Sequence, residues 1–492
     1  MKKVYQYFIG LLGLVSLSNC NKFLDKDPDN RTQLTSPDKA RALLATAYPQ
    51  GSYQQMAEIM SDNAGDRTPL ASITYMDSVF YTFGDYVSDG GTQDSPTAYW
   101  SACYKAIAAA NAALAAVPTN ADSINYSAVK GEALVCRAYA HFMLATLFAK
   151  PYDPGTAANT VGVPYVTKPE TVAVGHYVRG TLAQDYANIE HDLVAGLPLI
   201  NDDNYTVPKF HFTKIAARAF ATRFYLYKKD YQKAINYANQ AFSSDASLVA
   251  NMRNWTKYLT YTVAEFTQNY TNATENANLL LVEEPSFWAR NYINSRFGFT
   301  PNFYSTLFAS SPASSNGGRW LQSRFVYVYG QIAYAIPKWD EYFYTPDDPS
   351  YGYPYIMAPL FTTEELLFNR AEAKILLGQY DAALSDMNLY ISQRLQNYTA
   401  NDNLTSAKVI SFYNTDQKTA MLQMLLYLKR IEFVQEGMRW FDILRYGIKV
   451  VHKQVDQNLR TVATFTLDST DNRRQWQLPS ATISGGIPAN PR

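Results

Sequence analysis

The sequence has few residues of the kinds that build metal centres and disulfide frameworks. Its 492 residues include three cysteines and five histidines. No CxxC pair occurs, so neither a zinc site nor a redox motif is predicted. Cys103 and Cys136 each lie in a helical pattern, and the sequence leaves open whether they form one disulfide or remain two buried thiols.

The chain also lacks a surplus of charge of either sign. Lysine plus arginine and aspartate plus glutamate number 43 each, and removing Lys2 and Lys3 with a leader leaves a net charge near −2. Nucleic acid is therefore a poor candidate partner, because no basic excess exists to neutralise phosphates. With 47% hydrophobic and 17% charged residues, the chain has material for a large core.

Motifs of the common enzyme classes are missing as well. No histidine opens an HExxH, and the sequence contains no GxSxG, GxxxxGK[ST] or GxGxxG. The acidic segment 25–30 resembles the start of a calcium loop but lacks the glutamate at the twelfth position. We therefore predict a protein that is not an enzyme and that needs no metal or cofactor.

The chain begins with the pattern of a secretion signal that ends at a cysteine. Two lysines precede a largely apolar run, Val4 to Leu17, which is too short and too close to the terminus to span a bilayer. We predict a signal peptide over 1–19, acyl chains on Cys20 that anchor the chain to a membrane, and a tether over 20–35. Because Asn19 replaces the usual glycine or alanine, ordinary cleavage beside an incidental cysteine is the alternative.

Most of the remaining chain has the apolar periodicity of helices. The fold class is therefore mainly α, with a helical scaffold in two parts, 36–250 and 360–492. The predicted helices are 36–60, which opens with Ser36 and Pro37, then 100–114, 126–148, 180–197, 213–242, one that starts at Thr362, and a last helix over 416–446.

Two segments resemble the helix-turn-helix core of tetratricopeptide repeats. Tyr231 and Ala234 in the first correspond to Tyr380 and Ala383 in the second. Well over a hundred residues separate the copies. We therefore expect repeat-like helix pairs interrupted by insertions, and not a tandem array.

The second of these pairs has explicit start and stop signals. Thr362 and Glu365 have the spacing of a capping box, in which each side chain satisfies a backbone N–H of the other residue. Gly378 is placed to end the helix. These signals predict a helix that begins after Thr362 and ends at the glycine.

The segment 251–359 lacks helical periodicity and is dense in aromatic and turn residues. The whole chain contains 39 Tyr, 25 Phe and 7 Trp. Aromatic rings can stack on sugar rings or peptide groups, or they can fill a core. We interpret this segment as a loop-rich ligand-binding lobe, because loops on a rigid scaffold are a common location for binding sites.

For the site itself we expect a shallow aromatic platform on this lobe. The candidates are Trp288, Tyr292 and Trp320 for stacking, Asn291, Arg319 and Arg324 for polar contacts, and Tyr81, Asp66 and Arg67 from an early aromatic loop over 61–99. Packing within the loops is the alternative role for each of these residues.

The last predicted helix is rich in charged residues of both signs. Two of them, Glu432 and Glu436, have the residue type of a glycosidase acid and nucleophile. The spacing of three residues from Glu436 to Arg439, from Arg439 to Asp442 and from Asp442 to Arg445 instead favours ion pairs. We therefore favour a lattice of ion pairs that ties this helix to its neighbours.

Taken together, several segments resemble the SusD/RagB family. They are 23–25 after Cys20, 100–111, 131–138, 370–373 before Gly378, 430–442, and 487–491 near the end of the chain. The resemblance extends over nearly the whole mature chain, and 430–442 is its most specific motif.

The resemblance implies an α-helical, outer-membrane lipoprotein on the surface of a Gram-negative cell. Such a protein forms a lid on a SusC-like TonB-dependent transporter and delivers oligosaccharides, or in some members peptides, without being an enzyme. Two alternatives are a periplasm-facing scaffold lipoprotein that binds protein partners and a secreted glycoside hydrolase.

Overall fold

The structure is a computed structural model that describes residues 34–68, 71, 73–86, 92–171, 175–309, 311–313, 319–330, 332–344 and 352–492. The predicted signal peptide, Cys20 and most of the predicted tether lie outside these ranges.

The described residues form helices along most of the chain, with short strands between them. The helices are α1 (Pro37–Leu44), α2 (Gln54–Met60), α3 (Tyr75–Tyr81), α4 (Pro96–Ala115), α5 (Ser127–Phe148), α6 (Leu182–Gly196), α7 (Lys214–Tyr227), α8 (Tyr231–Ala241), α9 (Asp245–Ala250), α10 (Trp255–Tyr258), α11 (Val263–Tyr270), α12 (Trp288–Asn294), α13 (Pro301–Leu307), α14 (Thr363–Leu376), α15 (Tyr380–Ser392), α16 (Ser406–Tyr413), α17 (Gln417–Glu432), α18 (Met438–Tyr446) and α19 (Ser480–Ser484). The strands are β1 (Gly65–Asp66), β2 (Asn278–Pro285), β3 (Phe297–Gly298), β4 (Arg319–Trp320), β5 (Tyr327–Tyr329), β6 (Ala333–Ala335), β7 (Glu341–Tyr344), β8 (Tyr353–Thr362), β9 (Leu395–Gln396), β10 (Val450–Val455) and β11 (Thr461–Leu467).

The helices pack in pairs around one large core. Helix α5 packs against both α4 and α6, α7 pairs with α8, and α14 pairs with α15. Helix α8 also packs against α14. The two repeat-like pairs, which are far apart in sequence, are thus neighbours in space, and the predicted mainly α fold with tetratricopeptide-like pairs is confirmed.

Two predicted helices near the N-terminal half are each divided. Ser36 caps α1 as predicted, but the segment 36–60 forms α1 and α2 with Pro49 between them. Proline has no N–H to donate and its ring clashes with the preceding turn, so a continuous helix is blocked. The segment 213–242 forms α7 and α8 with a turn at Lys229, whose φ is 66°, as its resemblance to a helix-turn-helix core predicts.

The last predicted helix, 416–446, is also two helices. Asp416 caps α17, but a turn separates α17 from α18, and within it Gln435 and Gly437 have φ of 70° and 74°. A Cβ on Gly437 would lie 3.1 Å from the Cα of Gln54. The turn therefore favours glycine both for its backbone conformation and for its close approach to α2.

Half of the predicted capping box is formed at α14. The Thr362 hydroxyl accepts a hydrogen bond from the Glu365 backbone N–H at 3.2 Å. The Glu365 carboxylate does not return this bond, because it pairs with Arg223 in the core. Gly378, with φ of 76°, follows the end of the helix as predicted.

The strands form small antiparallel sheets. Strands β2, β8 and β7 form one three-stranded sheet in that order, and the other pairs in the described residues are β1–β3, β4–β9, β5–β6 and β10–β11. The segment 251–359 therefore contains helices α10–α13 as well as strands, and the early segment 61–99 contains α3. Both are more regular than the loops that the sequence predicts.

The two internal cysteines are free thiols inside the core. Cys103 of α4 and Cys136 of α5 are both buried and unbonded. Burial raises the pKa of the Cys103 thiol, so it stays protonated at neutral pH.

None of the helices in the described part of the chain combines the length and the apolar character that a bilayer crossing requires.

Candidate ligand-binding surface

An exposed group of tyrosines lies on one face of the β7–β8 pair. Successive side chains of a strand point to opposite faces, and Tyr342 pairs with Tyr355 while Tyr344 pairs with Tyr353. These four residues, which we call the tyrosine face, therefore lie on the same side of the sheet. Tyr344 is 59% exposed and Tyr353 is 51% exposed, so their rings are open to solvent.

The rings of the tyrosine face are arranged by their neighbours. The Tyr342 and Tyr355 rings are stacked, with centroids 5.9 Å apart and planes at 26°. The Tyr344 ring stands edge-on to Tyr355 at 6.3 Å and 78°. Cross-strand aromatic pairs stabilise a sheet by roughly 0.2–1 kcal/mol each. The rings are thus held in place before any ligand arrives.

A carboxylate lies beside these rings. Glu283 of β2 pairs with Met357, two residues along β8 from Tyr355, so its side chain lies on the tyrosine face. The Tyr342 hydroxyl donates a hydrogen bond to Glu283. Burial and this bond raise the pKa of Tyr342. Glu283 is itself exposed, and its carboxylate can accept further hydrogen bonds from hydroxyl donors.

The opposite face of this sheet is packed against aromatic rings in the interior. Ile356 and Ala358 of β8 belong to a buried cluster with Trp288 and Trp339. The indole N–H groups of Trp288 and Trp339 both donate to the Gln435 carbonyl, at 2.9 and 3.0 Å. This layer holds the sheet rigidly against the turn between α17 and α18.

The edge of the same sheet carries a cation between two rings. Arg290 lies 5.1 Å from the centroid of Phe343 and 5.8 Å from that of Phe287, and it pairs with Glu341. Phe343 is exposed. Phe343 alternates with Tyr342 and Tyr344 along β7, so this group lies on the face of the sheet opposite the tyrosine face.

The three rings expected to form a stacking platform lie in the interior. Trp288 is 1% exposed, Tyr292 3% and Trp320 2%. Trp288 is held by its hydrogen bond to Gln435, and Trp320 packs edge-on against Tyr427 at 6.1 Å. An exposed platform of these rings is therefore not present, because each fills core space under the surface.

Arg67 is also a core residue. It is 1% exposed and its guanidinium donates to backbone carbonyls of five residues. They are Tyr292, Ile293, Ser295, Phe299 and Tyr334. Burial lowers the pKa of Arg67 to about 10, so it keeps its charge at neutral pH. Its role in the structure is to hold the 292–299 segment in place.

Asp66 and Tyr81 contact the segment 251–359 in the interior of the protein. Asp66 pairs with Arg296, with 2.7 Å between Nη2 and Oδ2. The Tyr81 ring is stacked between Phe297 and His452, with centroids 3.9 and 4.2 Å away. The early segment and the lobe therefore do come together as expected, but through buried contacts.

The remaining candidates are closer to solvent. Asn291 is half-buried and donates to the Gln55 side chain at 3.1 Å. Arg319 and Arg324 are exposed. Ligand contacts by these two arginines stay predictions.

Sequence reasoning did not single out the tyrosine face, although a signal for it exists. Tyrosines alternate at 342 and 344 and again at 353 and 355, on either side of a Pro- and Asp-rich stretch. Alternation on both sides of turn residues is the pattern of two paired strands with one aromatic face.

The two glutamates considered for glycosidase chemistry are each neutralised by a buried cation. Glu432 lies 2.8 Å from the Nε of Arg394, and Glu436 lies 2.6 Å from the Nζ of Lys338. All four side chains are buried. This arrangement gives no access to a glycosidic bond and supports the ion-pair interpretation.

The partners in this ion-pair network differ from the predicted ones. Arg439 pairs with Asp62 of the early segment at 2.8 Å, and Asp442 pairs with Lys429. Of the predicted pairs, Asp442 and Arg445 remain, 4.0 Å apart. The charges therefore connect α17 and α18 to other elements more than to each other.

Two family models match the chain. One, described as starch-binding associating with outer membrane and named SusD-like, matches residues 22–226. The other, described as the SusD family, matches residues 320–485. No curated protein matches the chain.

Solved structures show the same fold over nearly the whole chain. A SusD superfamily protein from Bacteroides thetaiotaomicron has a TM-score of 0.68 at 19% identity and covers 93% of this chain and 100% of its own. One from Bacteroides fragilis has a TM-score of 0.66 at 18% identity, covering 92% and 98%. A SusD-like carbohydrate binding protein from Bacteroides vulgatus has a TM-score of 0.64 at 15% identity, covering 92% and 96%.

The helical scaffold, the family models and these structures agree. Because the two models of the SusD family together match most of the chain, the chain belongs to the SusD/RagB family.

Proposed function

We propose that this protein is a non-catalytic lipoprotein of the outer-membrane surface that binds oligosaccharides on its tyrosine face and passes them to a SusC-like TonB-dependent transporter. The observation that carries the binding role is the exposure of Tyr344 and Tyr353 on the same face of the sheet as the carboxylate of Glu283, with Tyr342 and Tyr355 between them. Contiguous exposed rings rimmed by polar groups are typical of interaction sites.

The chemistry of the tyrosine face suits a sugar chain. The C–H face of a pyranose packs on a flat ring, and its hydroxyls donate to a carboxylate. The stacked pair Tyr342 and Tyr355 continues the surface beyond the two exposed rings, so more than one sugar unit has a place to lie. A peptide is the other candidate ligand, but it offers fewer hydroxyl donors to Glu283.

Two comparisons support a carbohydrate ligand. The description of the family model over residues 22–226 includes starch binding and association with the outer membrane. One structural neighbour is described as a carbohydrate binding protein. The lipid anchor at Cys20, the surface location and the transporter partner rest on the family resemblance and on the signal pattern of the sequence.

The binding role is tested with the mature protein expressed without lipid. It is screened by calorimetry against polysaccharides and peptide mixtures, and the Tyr344→Ala/Tyr353→Ala double variant is compared on each ligand found. We expect about tenfold weaker binding, since two exposed rings of apolar contact are lost at ~25 cal/mol per Å². Tyr75→Ala removes a ring that is 74% exposed on α3 and is the matched control.

Unchanged affinity in the double variant, with every ligand, would remove the tyrosine face from the proposal. Binding of peptides alone would replace the oligosaccharide with a peptide ligand.

The location is tested in cells. Wild-type protein and Cys20→Ala are compared for fatty-acid labelling, for protease access in intact cells and for co-purification with a β-barrel transporter. We expect labelling, access and co-purification in the wild type, and loss of labelling in the variant. Protection from protease in intact cells would instead support a periplasm-facing scaffold.

A further inference from the structure

A separate cavity lies at one end of the helical scaffold, where α5, α7, α14 and α18 end. Its volume is about 250 Å³. A cavity of about 150 Å³ holds a benzene ring. The cavity therefore has room for a six-membered ring with its substituents.

Tyrosine rings form the walls of this cavity. Tyr152 and Tyr186 are stacked on each other, with centroids 4.1 Å apart and planes at 25°. Tyr227 lies beneath Arg445, whose guanidinium carbon is 4.5 Å from the ring centroid. All four residues line the cavity. Tyr186 is already stacked with both Tyr152 and Phe224, and Arg445 covers one face of Tyr227, so the walls are aromatic but these faces are occupied.

The charged groups that line the cavity are all cations. They are Lys150, Lys229 and Arg445, and none of the lining residues, all of which the structure describes, carries a carboxylate. Lys229 pairs with Asp153 at 2.6 Å. Lys150 is exposed at the border and forms no ion pair with any residue in the described ranges.

Arg445 is only partly satisfied. Its Nη2 pairs with the Glu372 carboxylate, and its Nη1, which makes no hydrogen bond, lies 4.0 Å from Oδ1 of Asp442. The lining of the cavity thus carries three cationic side chains and no carboxylate.

We propose that this cavity binds a sugar acid, a single pyranose with a carboxylate. The ring lies against the tyrosine walls, and the carboxylate accepts from Arg445 and Lys150. Charge-assisted hydrogen bonds of this kind are stronger than those between neutral groups. This site does not depend on the tyrosine face, which is built from β7 and β8.

The proposal is tested by calorimetry with galacturonate and glucuronate, using galactose and glucose as neutral counterparts of the same size. We expect the acids to bind about tenfold or more tightly than the neutral sugars, with an affinity that falls as salt is raised. Lys150→Glu should weaken acid binding about tenfold or more. Because Lys150 is exposed, this variant leaves the fold intact.

The matched control is Lys130→Glu. Lys130 is exposed near the start of α5, about 24 Å along the helix from Thr146 at the cavity. Cations near helix C-termini also offset the helix dipole, and that role would not distinguish an acid from its neutral counterpart. The comparison of sugar acids with neutral sugars therefore reports on the site and not on stability.

Three outcomes would overturn the proposal. They are absence of acid binding, equal binding of acids and neutral sugars, and acid binding that Lys150→Glu leaves unchanged. Loss of acid binding in the Tyr344→Ala/Tyr353→Ala variant would place the acid on the tyrosine face instead.

Discussion

The carboxylate of Glu58 accepts hydrogen bonds from the backbone N–H groups of Gln435 at 2.8 Å and of Gly437 at 3.1 Å. Helix α2 thereby holds the left-handed turn between α17 and α18. The carbonyl of Gln435 in that turn accepts from both Trp288 and Trp339 under the tyrosine face. Glu58 thus fixes the turn at Gln435, and this turn holds the two tryptophans that pack beneath the tyrosine face.

This contact predicts a pH-dependent contribution to stability. Burial raises the pKa of Glu58 to about 7 from the ordinary value of 4.5, despite its hydrogen bonds. The native state then holds a proton that the unfolded state releases, so this contribution is full below pH 4.5 and is lost as the pH rises toward 7. Glu58→Gln cannot titrate. The difference in unfolding free energy between wild type and variant should therefore shrink by about 3 kcal/mol over this window.

Urea denaturation across that pH range measures the difference. A wild-type minus variant difference that stays constant with pH would show that Glu58 is ionised in the native state throughout.

Arg67 offers a second test, of stability alone. Arg67→Ala leaves five backbone carbonyls without their donor, and we expect a loss of about 3–5 kcal/mol in unfolding free energy. Arg67→Lys should recover only part of it, because a lysine cannot reach several acceptors in one plane. Chemical denaturation measures both, with exposed Arg319→Ala as a control expected to change stability by less than about 0.5 kcal/mol. Equal stability of Arg67→Ala and Arg319→Ala would contradict the structural role.

Much of the scaffold can be predicted from the sequence because its signals are local. Ser36 with Pro37 and Thr362 with Gly378 mark helix ends through bonds that span three or four residues. The repeat-like pairs are visible from Tyr231 and Tyr380. The break at Gln435 and Gly437 is not visible in this way, because it depends on Glu58, which is far away in the sequence.

The candidate site could not be predicted as well, because exposure is decided by distant partners. Nothing near Trp288 in the sequence reveals that its indole meets the Gln435 carbonyl, and nothing near Trp320 reveals Tyr427. From the sequence alone, both are aromatic residues of the segment 251–359 that could stack on a ligand. The alternation of Tyr342 and Tyr344 is a local signal for a strand, whereas the density of turn residues around it predicts loops.

The buried position of Trp288 leads to a third prediction, which separates folding from binding. Trp288→Ala should lower the unfolding free energy by about 3–5 kcal/mol, since it leaves a cavity beneath the sheet. Tyr344→Ala should change it by less than about 0.5 kcal/mol and act on ligand affinity instead. Thermal denaturation and calorimetry on the same samples distinguish the two. A stable Trp288→Ala protein with lost binding would return Trp288 to the list of ligand contacts.

The fourth prediction concerns Glu432, the residue that a glycosidase hypothesis would make catalytic. Its carboxylate is bound by Arg394 at 2.8 Å and by Tyr390 at 3.0 Å. Burial by itself would raise the pKa of Glu432, but Arg394 beside it brings the pKa down to about 2. A glycosidase acid needs a raised pKa so that it holds a proton to donate, and Glu432 has the opposite shift.

Glu432→Gln should therefore lower the free energy of unfolding, and it should not act by removing a catalytic group. Arg394 also pairs with Glu364 at 2.7 Å, and removing Glu432 leaves this buried cluster one negative charge short, at a cost of about 3–5 kcal/mol. Because the pKa of Glu432 is depressed, its contribution is present above pH 4.5 and is lost as the pH falls toward 2, so the penalty of Glu432→Gln should diminish in acid. Denaturation at several pH values measures this, alongside a reducing-sugar assay on any polysaccharide that binds. A variant with full stability that abolishes hydrolysis of such a polysaccharide would establish an enzyme, because only a catalytic carboxylate gives that combination.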